Sequence, residues 1–319
     1  MKLIYTDLIT SVTSNKSHLN SDYSIAKVLN NYPKQAYISN STNTRIVVAC
    51  SGAEAIFISY LAESIQVFFE NSSAQILGSV SKTNSYSVDE AYLLNGLTHW
   101  NDGFFVEVPS NTANVIIQLV NTTNVQGNID HWSAAGDSFG KLMTGTGSTT
   151  INHDDYPQIR LGTFVGGSQI TRITGLGDGN RNLKFASGGT TDFTVSSMTL
   201  PVVVNTIRAG KLLTTVNPQV GLTESSEEFG ITEENATGLN FRIGESRRVF
   251  AGSLSVKESE RANVTRILKG IRAQPIAAEI LGYQESTSVF GFLSVQPTLS
   301  YSTQGSQLYS MNFEIKEIV

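Results

Sequence analysis

Two neighbouring stretches, Gly103-Phe-Phe-Val-Glu-Val108 and Ala113-Asn-Val-Ile-Ile-Gln-Leu-Val-Asn121, decide the fold class. The first alternates: Phe104, Val106 and Val108 fall on one side, Phe105 and Glu107 on the other. That is the two-residue period of a strand with one face in a core. The second is a near-continuous apolar run, as in a buried strand. The same texture extends upstream. Residues 44–51 are rich in Val and Ile between Asn43 and Gly52, and strands at 55–60 and 64–70 follow at short spacing. Short strands about ten residues apart, linked by Asn, Ser and Gly turns, predict a β-sandwich. The polar stretch 78–95 reads as a loop or an exposed hairpin.

Composition agrees. The chain has 319 residues, of which only 15% are charged against 40% hydrophobic, and Ser, Thr and Asn together number about 90. Ordinary soluble proteins carry roughly 25% charged residues. Large aliphatic and aromatic residues recur along the whole length, which excludes a charge-rich disordered chain. The helix-forming heptads of a long coiled coil are missing. A net charge of -5 without basic runs disfavours electrostatic binding of nucleic acid. No stretch of 18 apolar residues exists, so membrane insertion is not expected. The amino-terminal MKLIYTDLITSVTS does not read as a secretory signal, its apolar patch being broken by Thr6 and Asp7, so no export signal is expected. Cys50, the single cysteine, lies in Ile46-Val-Val-Ala-Cys50 and is expected in the core, with no disulfide. A surface-type composition without an export signal fits a virion protein made in a host cytoplasm and released by lysis.

Charge divides the chain. Residues 1–165 hold 8 Lys and Arg against 13 Asp and Glu, a net of -5; residues 166–319 hold 14 of each. This suggests two domains, 1–157 and 158–319. In the second, strands are expected at 158–164, 191–198, 239–250 and 254–256, with a Gly-rich stretch at 166–182. One main helix follows near 257–271. Val264, Ile267, Leu268 and Ile271 make one apolar stripe at i, i+3, i+4 and i+7, with Arg261, Arg266 and Lys269 off it. Ser255 and Glu258 have the spacing of a capping box, and Gln274-Pro275 closes the segment. Strands at 276–283, 289–300 and 308–318 complete the chain. The fold class expected is thus mainly β, a jelly-roll or galactose-binding-like sandwich followed by a β-rich α+β domain.

Chemistry is sparsely signposted. His131, in Asp130-His-Trp132, and His153, in His153-Asp-Asp155, would supply metal ligands only if brought together, and no ligand motif is matched. Asp178-Gly-Asn-Arg-Asn182 begins like a calcium loop but lacks Gly at its sixth position and Glu at its twelfth. No nucleophile–base setting is recognisable, so neither an enzyme nor a cofactor or metal site is expected. Two segments suit a sugar: His99-Trp-Asn-Asp102 and Asp130-His-Trp132 each place a Trp beside hydrogen-bonding side chains. His99, Trp100, Asp102, Asp130 and Trp132 are therefore candidate glycan-binding residues, against the simpler reading that both Trp plug the ends of the sandwich.

The C-terminal pattern carries a resemblance. Arg247-Arg-Val-Phe-Ala-Gly-Ser-Leu254, the helix, Ala273-Gln-Pro-Ile276, Val289-Phe-Gly-Phe-Leu293 and Tyr309-Ser-Met-Asn-Phe-Glu-Ile-Lys-Glu-Ile318 follow in order. The order resembles the closing module of tailed-bacteriophage tail and baseplate structural proteins. Thr44-Arg-Ile-Val-Val-Ala49, Glu63-Ser-Ile-Gln-Val67 and Trp100 resemble the galactose-binding-like module often found before it, and Ile159-Arg-Leu-Gly162 resembles the start of the second module. The resemblance implies a virion structural protein of the tail, baseplate or tail adaptor. Its partners would be copies of itself in a ring or trimer, other tail proteins and, as the alternative, host surface glycan bound by an adhesin. The acidic stretch 200–238 has no counterpart in that pattern and is expected as an extended arm or insertion.

Overall fold

A computed structural model describes residues 1–19, 21–33, 35–84, 103–121, 124–125, 128–132, 139–144, 147–162, 182–195, 198–199, 201–215, 222–228, 231–234, 240–243, 246–271, 274–281, 286–293, 299–301 and 308–318. The described residues are mainly β, built around a curled antiparallel sheet. No helix among the described residues is long and apolar enough to cross a membrane.

One five-stranded sheet runs in the order Ser11–Ser14, Asn43–Ala49, Asn114–Val120, Ser64–Glu70, Ile76–Thr83. Among the described residues the large sheet has eleven strands: nine along one path, with Leu299–Tyr301 paired to Leu308–Glu317 and Tyr37–Ile38 paired to Val203–Thr214 beside it. Its path is Thr223–Glu228, Ser246–Lys257, Leu308–Glu317, Ser286–Leu293, Pro275–Leu281, Lys2–Asp7, Val203–Thr214, Ala55–Leu61 and Gly103–Glu107. The deciding stretches land on opposite sheets: Gly103–Glu107 joins the large sheet and Asn114–Val120 the five-stranded one. Ala55–Leu61 and Ser64–Glu70 divide the same way. This is the β-sandwich expected, and its core draws on both layers. Ile56, Ile58, Tyr60 and Val106 come from the large sheet; Ile46, Val48, Val67, Val115, Ile117 and Leu119 come from the other. Cys50 is buried among them. Each such side chain, fully buried, is worth about 1.5–3 kcal/mol.

A second core lies toward the other end of the large sheet. Val264, Ile267, Leu268 and Ile271 of the helix Arg261–Gly270 and its C-terminal cap pack with Leu254, Val256, Ile276, Ala278, Met311 and Phe313. The helical stripe read from the sequence is therefore the buried face. Its start differs from expectation. Ser255 pairs with Ser310 inside the strand Ser246–Lys257, so its backbone is committed to the ladder and cannot cap a helix. A 3₁₀ turn, Glu258–Glu260, precedes the helix instead, and Glu258 pairs with Arg261 at 3.4 Å.

The cores share chain across the 157/158 division. Val202, Val204, Ile207 and Ala209 enter the sandwich core, while Met1 and Leu3 enter the second. Lys2–Asp7 sits between Pro275–Leu281 and Val203–Thr214. The arm expected over 200–238 therefore does not include 203–214, which is a buried strand near the middle of the sheet. Thr223–Glu228, within that stretch, forms an edge of the large sheet. Of the polar stretch 78–95, residues up to 83 form the exposed outer strand of a hairpin with Ser64–Glu70. Residues 85–102, and the Gly-rich stretch 166–182 up to residue 181, lie outside the described residues.

Candidate functional site

His99, Trp100 and Asp102 lie outside the described residues, so the structure does not place them relative to the second candidate segment. Asp130 and Trp132 belong to the strand Asn128–Trp132, not to a loop. That strand is flanked by Phe139–Thr144 and Gln158–Gly162 in a four-stranded sheet. Asp130 stands in register between Lys141 and Arg160, and Trp132 between Phe139 and Gln158.

His153 is committed locally. One ring nitrogen lies 2.8 Å from Thr191 Oγ1 and the other 3.2 Å from the Gly188 carbonyl. Its ring stacks on Phe185 with centroids 4.2 Å apart and an interplanar angle of 2°. Asp154 Oδ1 accepts from the Gly188 amide at 2.8 Å, holding the turn that supplies this carbonyl. Both nitrogens thus have partners, one in the turn at Gly188 and one in the strand Thr190–Val195, which leaves none for a metal in this arrangement. Among the described residues no three His, Cys, Asp or Glu side chains group as metal ligands.

The acidic edge is paired with the basic residues that follow it in the chain. Glu227 accepts from Arg247 Nε at 2.9 Å and from Lys316 Nζ at 3.1 Å. These contacts, Lys316 first, hold its carboxyl below the usual range. Arg248 forks onto the buried Glu317, 3.1 Å through Nε and 2.8 Å through Nη2. The register of Thr223–Glu228 against Ser246–Lys257 places Glu227 directly opposite Arg247.

A concave site lies between the two cores, around Arg208. Its strand, Val203–Thr214, slips register between Val204 and Thr206, a bulge centred on Asn205. The Asn205 amide donates to the Pro33 carbonyl at 3.0 Å. Three residues on, the Arg208 side chain is only 8% exposed. It donates through Nη1 to the carbonyls of Ile207 (2.8 Å) and Val28 (3.4 Å), and through Nη2 to the Asn30 carbonyl (2.6 Å) and Asn31 Oδ1 (2.9 Å). Its guanidinium lies over the Phe290 ring, 4.9 Å from the centroid. Arg208 and Asn205 together hold the strap Ser24–Pro33 against the sheet, because the carbonyls of Val28, Asn30 and Pro33 have no ladder to join. Burial lowers the Arg208 pKa and the nearby Asp7 carboxylate opposes the shift.

Beside Arg208 a half-open cavity of about 320 Å³ is lined by Ile4, Tyr5, Asp7, Leu29, Asn31, Arg208, Gln274, Pro275 and Ala277. No motif in the sequence marks it. The one available signal is a lone Arg within Val202-Val-Val-Asn-Thr-Ile-Arg-Ala209, where a charge among apolar strand residues needs partners. Val28, the farthest of its partners along the chain, is 180 residues away, beyond the reach of any motif. No protein-family model, curated protein or solved structure matches the chain.

Proposed function

We propose that the chain is a non-catalytic virion structural protein of a tailed bacteriophage, assembling with copies of itself and other tail proteins in the tail, baseplate or tail adaptor. The observation that carries this reading is the order of the closing elements. The strand Ser246–Lys257 leads into the helix Arg261–Gly270; Pro275 then opens an apolar strand, Ser286–Leu293 contains Phe290-Gly-Phe292, and Leu308–Glu317 ends the sheet. This is the order on which the resemblance to tail proteins rests.

Exposed strand edges support assembly. Ile76–Thr83 has no pairing partner on its outer side among the described residues, and Ile76, Leu77 and Val80 are exposed. Such edges readily add a strand from another chain, and the low surface charge opposes close packing of copies only weakly. Mass measurement and imaging of the purified full-length chain test the proposal. A closed ring or trimer is the expected result, and a chain that stays monomeric at high concentration and joins no larger particle overturns it.

A further inference from the structure

We propose that the cavity beside Arg208 binds one ring of a neutral polyhydroxylated ligand, a sugar residue. Its volume of about 320 Å³ lies at the small end of ligand sites. Of the five N–H groups of Arg208, four have acceptors; only Nε–H makes no hydrogen bond among the described residues. Nε faces Asp7 Oδ2 across 4.0 Å, too far for a hydrogen bond. A group that accepts from Nε and donates to the carboxylate completes both partners, and a hydroxyl does both. Adjacent hydroxyls extend the same pattern to the amides of Asn31 and Gln274 and to the Tyr5 phenol.

The charges decide what is refused. Among the described lining residues Arg208 and Asp7 are the only charged ones, and their charges oppose each other. An anionic ligand meets the Asp7 carboxylate, and a cationic one meets a guanidinium held in place by four other bonds. Ile4, Leu29, Pro275 and Ala277 supply an apolar wall for the C–H face of a ring. This site is separate from the Asp130–Trp132 strand, and it does not depend on assembly: a chain that forms no ring can still bind here, and one that assembles can fail to.

The test is ligand-observed saturation-transfer NMR on the full chain with glucose, galactose and mannose, alongside glucuronate and glucosamine. At least one neutral hexose is expected to show saturation at millimolar concentration, and both charged analogues much less. Asp7→Asn keeps the acceptor used by the Ile9 amide, so it is expected to fold, with a melting temperature lowered somewhat because the buried Arg208 loses its opposing charge. It should weaken binding about tenfold, as removal of one charge-assisted hydrogen bond does. Gln274→Ala, an exposed position, serves as the second variant and should also weaken binding. Trp132→Ala should leave it unchanged. The proposal is overturned if no neutral hexose shows saturation, if the charged analogues match the neutral ones, or if binding survives both Asp7→Asn and Gln274→Ala.

Discussion

Phe57 and Phe290 stack across the junction of the two cores, with ring centroids 6.3 Å apart and planes 18° from parallel. Phe57 lies in Ala55–Leu61 and Phe290 in Ser286–Leu293, so one contact joins segments more than two hundred residues apart. Ile4, Ala55, Phe105 and Ala277 complete this small core. Because both faces of Ala55–Leu61 are buried, the strand belongs to the sandwich core on one side and to the junction on the other.

Phe57→Ala is therefore expected to destabilise the protein by about 3–5 kcal/mol, the usual cost of emptying a buried aromatic site. Phe290→Ala should cost less, since Phe290 retains slightly more exposure. The double variant should fall short of the sum, because the residues share one cavity. Urea denaturation of the three variants checks this, and full additivity would show that the rings are not coupled.

Two glycines allow the close approaches that this junction requires. A Cβ at Gly103 would overlap the Phe57 ring, and one at Gly210 would overlap the Thr6 carbonyl. A ring can turn aside; backbone inside a ladder cannot. Gly103→Ala should cost about 1–3 kcal/mol as overpacking does, and Gly210→Ala distinctly more. Gly52, at φ +81° with open space around it, offers a comparison. Gly52→Ala should cost about 1 kcal/mol from backbone strain alone. Melting temperatures in the order Gly52→Ala, Gly103→Ala, Gly210→Ala, highest first, are the expected result.

Arg208→Met keeps the length and apolar stem of the side chain but strands the carbonyls of Val28, Asn30 and Ile207. At about 1 kcal/mol or more for each unsatisfied group, a loss near 3 kcal/mol is expected. The strap Ser24–Pro33 should then become the first site cut in limited proteolysis. Arg208→Lys should restore little, because a single ammonium cannot reach acceptors spread along two edges of a guanidinium. Unchanged protease resistance in Arg208→Met would show that the strap is held by its apolar contacts instead.

Acid sensitivity has a defined contributor in Glu54. Lys211 Nζ donates to Oε1 at 2.9 Å and the Leu212 amide to Oε2 at 3.0 Å, and these bonds lower the carboxyl pKa from its ordinary 4.5. A carboxylate with a depressed folded pKa adds stability above its unfolded value, and that contribution is lost as pH falls through the folded value. The pair is about half exposed, so its worth is at most about 1 kcal/mol. Glu54→Gln should therefore lower the urea midpoint at pH 7 and leave it nearly unchanged well below pH 4.5. An equal loss at both pH values would assign the effect to packing rather than to charge.

Local patterns are legible in the amino-acid sequence alone. The alternation in 103–108, the apolar run at 113–121 and the stripe Val264, Ile267, Leu268, Ile271 each report how one element meets a core, because side-chain direction repeats every 2 or 3.6 residues. Cys50 belongs to the core for the same reason, lying at the end of an apolar strand. The spacing of Ser255 and Glu258 misleads, because the strand continues to Lys257 on account of its pairing with Leu308–Glu317, a partner about fifty residues later. Around Asp130 the polar residues carry no strand pattern, yet their backbone lies between two other strands.

The sequence by itself determined the class of fold, the sandwich and the buried helical stripe, since these follow from periodicity within each segment. Only the tertiary structure decided that Lys2–Asp7 enters the middle of the large sheet, that Val203–Thr214 is buried rather than an arm, and that Arg208 and Asp7 meet beside a cavity. A strand's pattern of side chains says which face is buried, but its backbone hydrogen bonds are the same toward any neighbour. Which strands become neighbours is settled by how the two cores close around Phe57 and Phe290, a choice made over the whole chain at once.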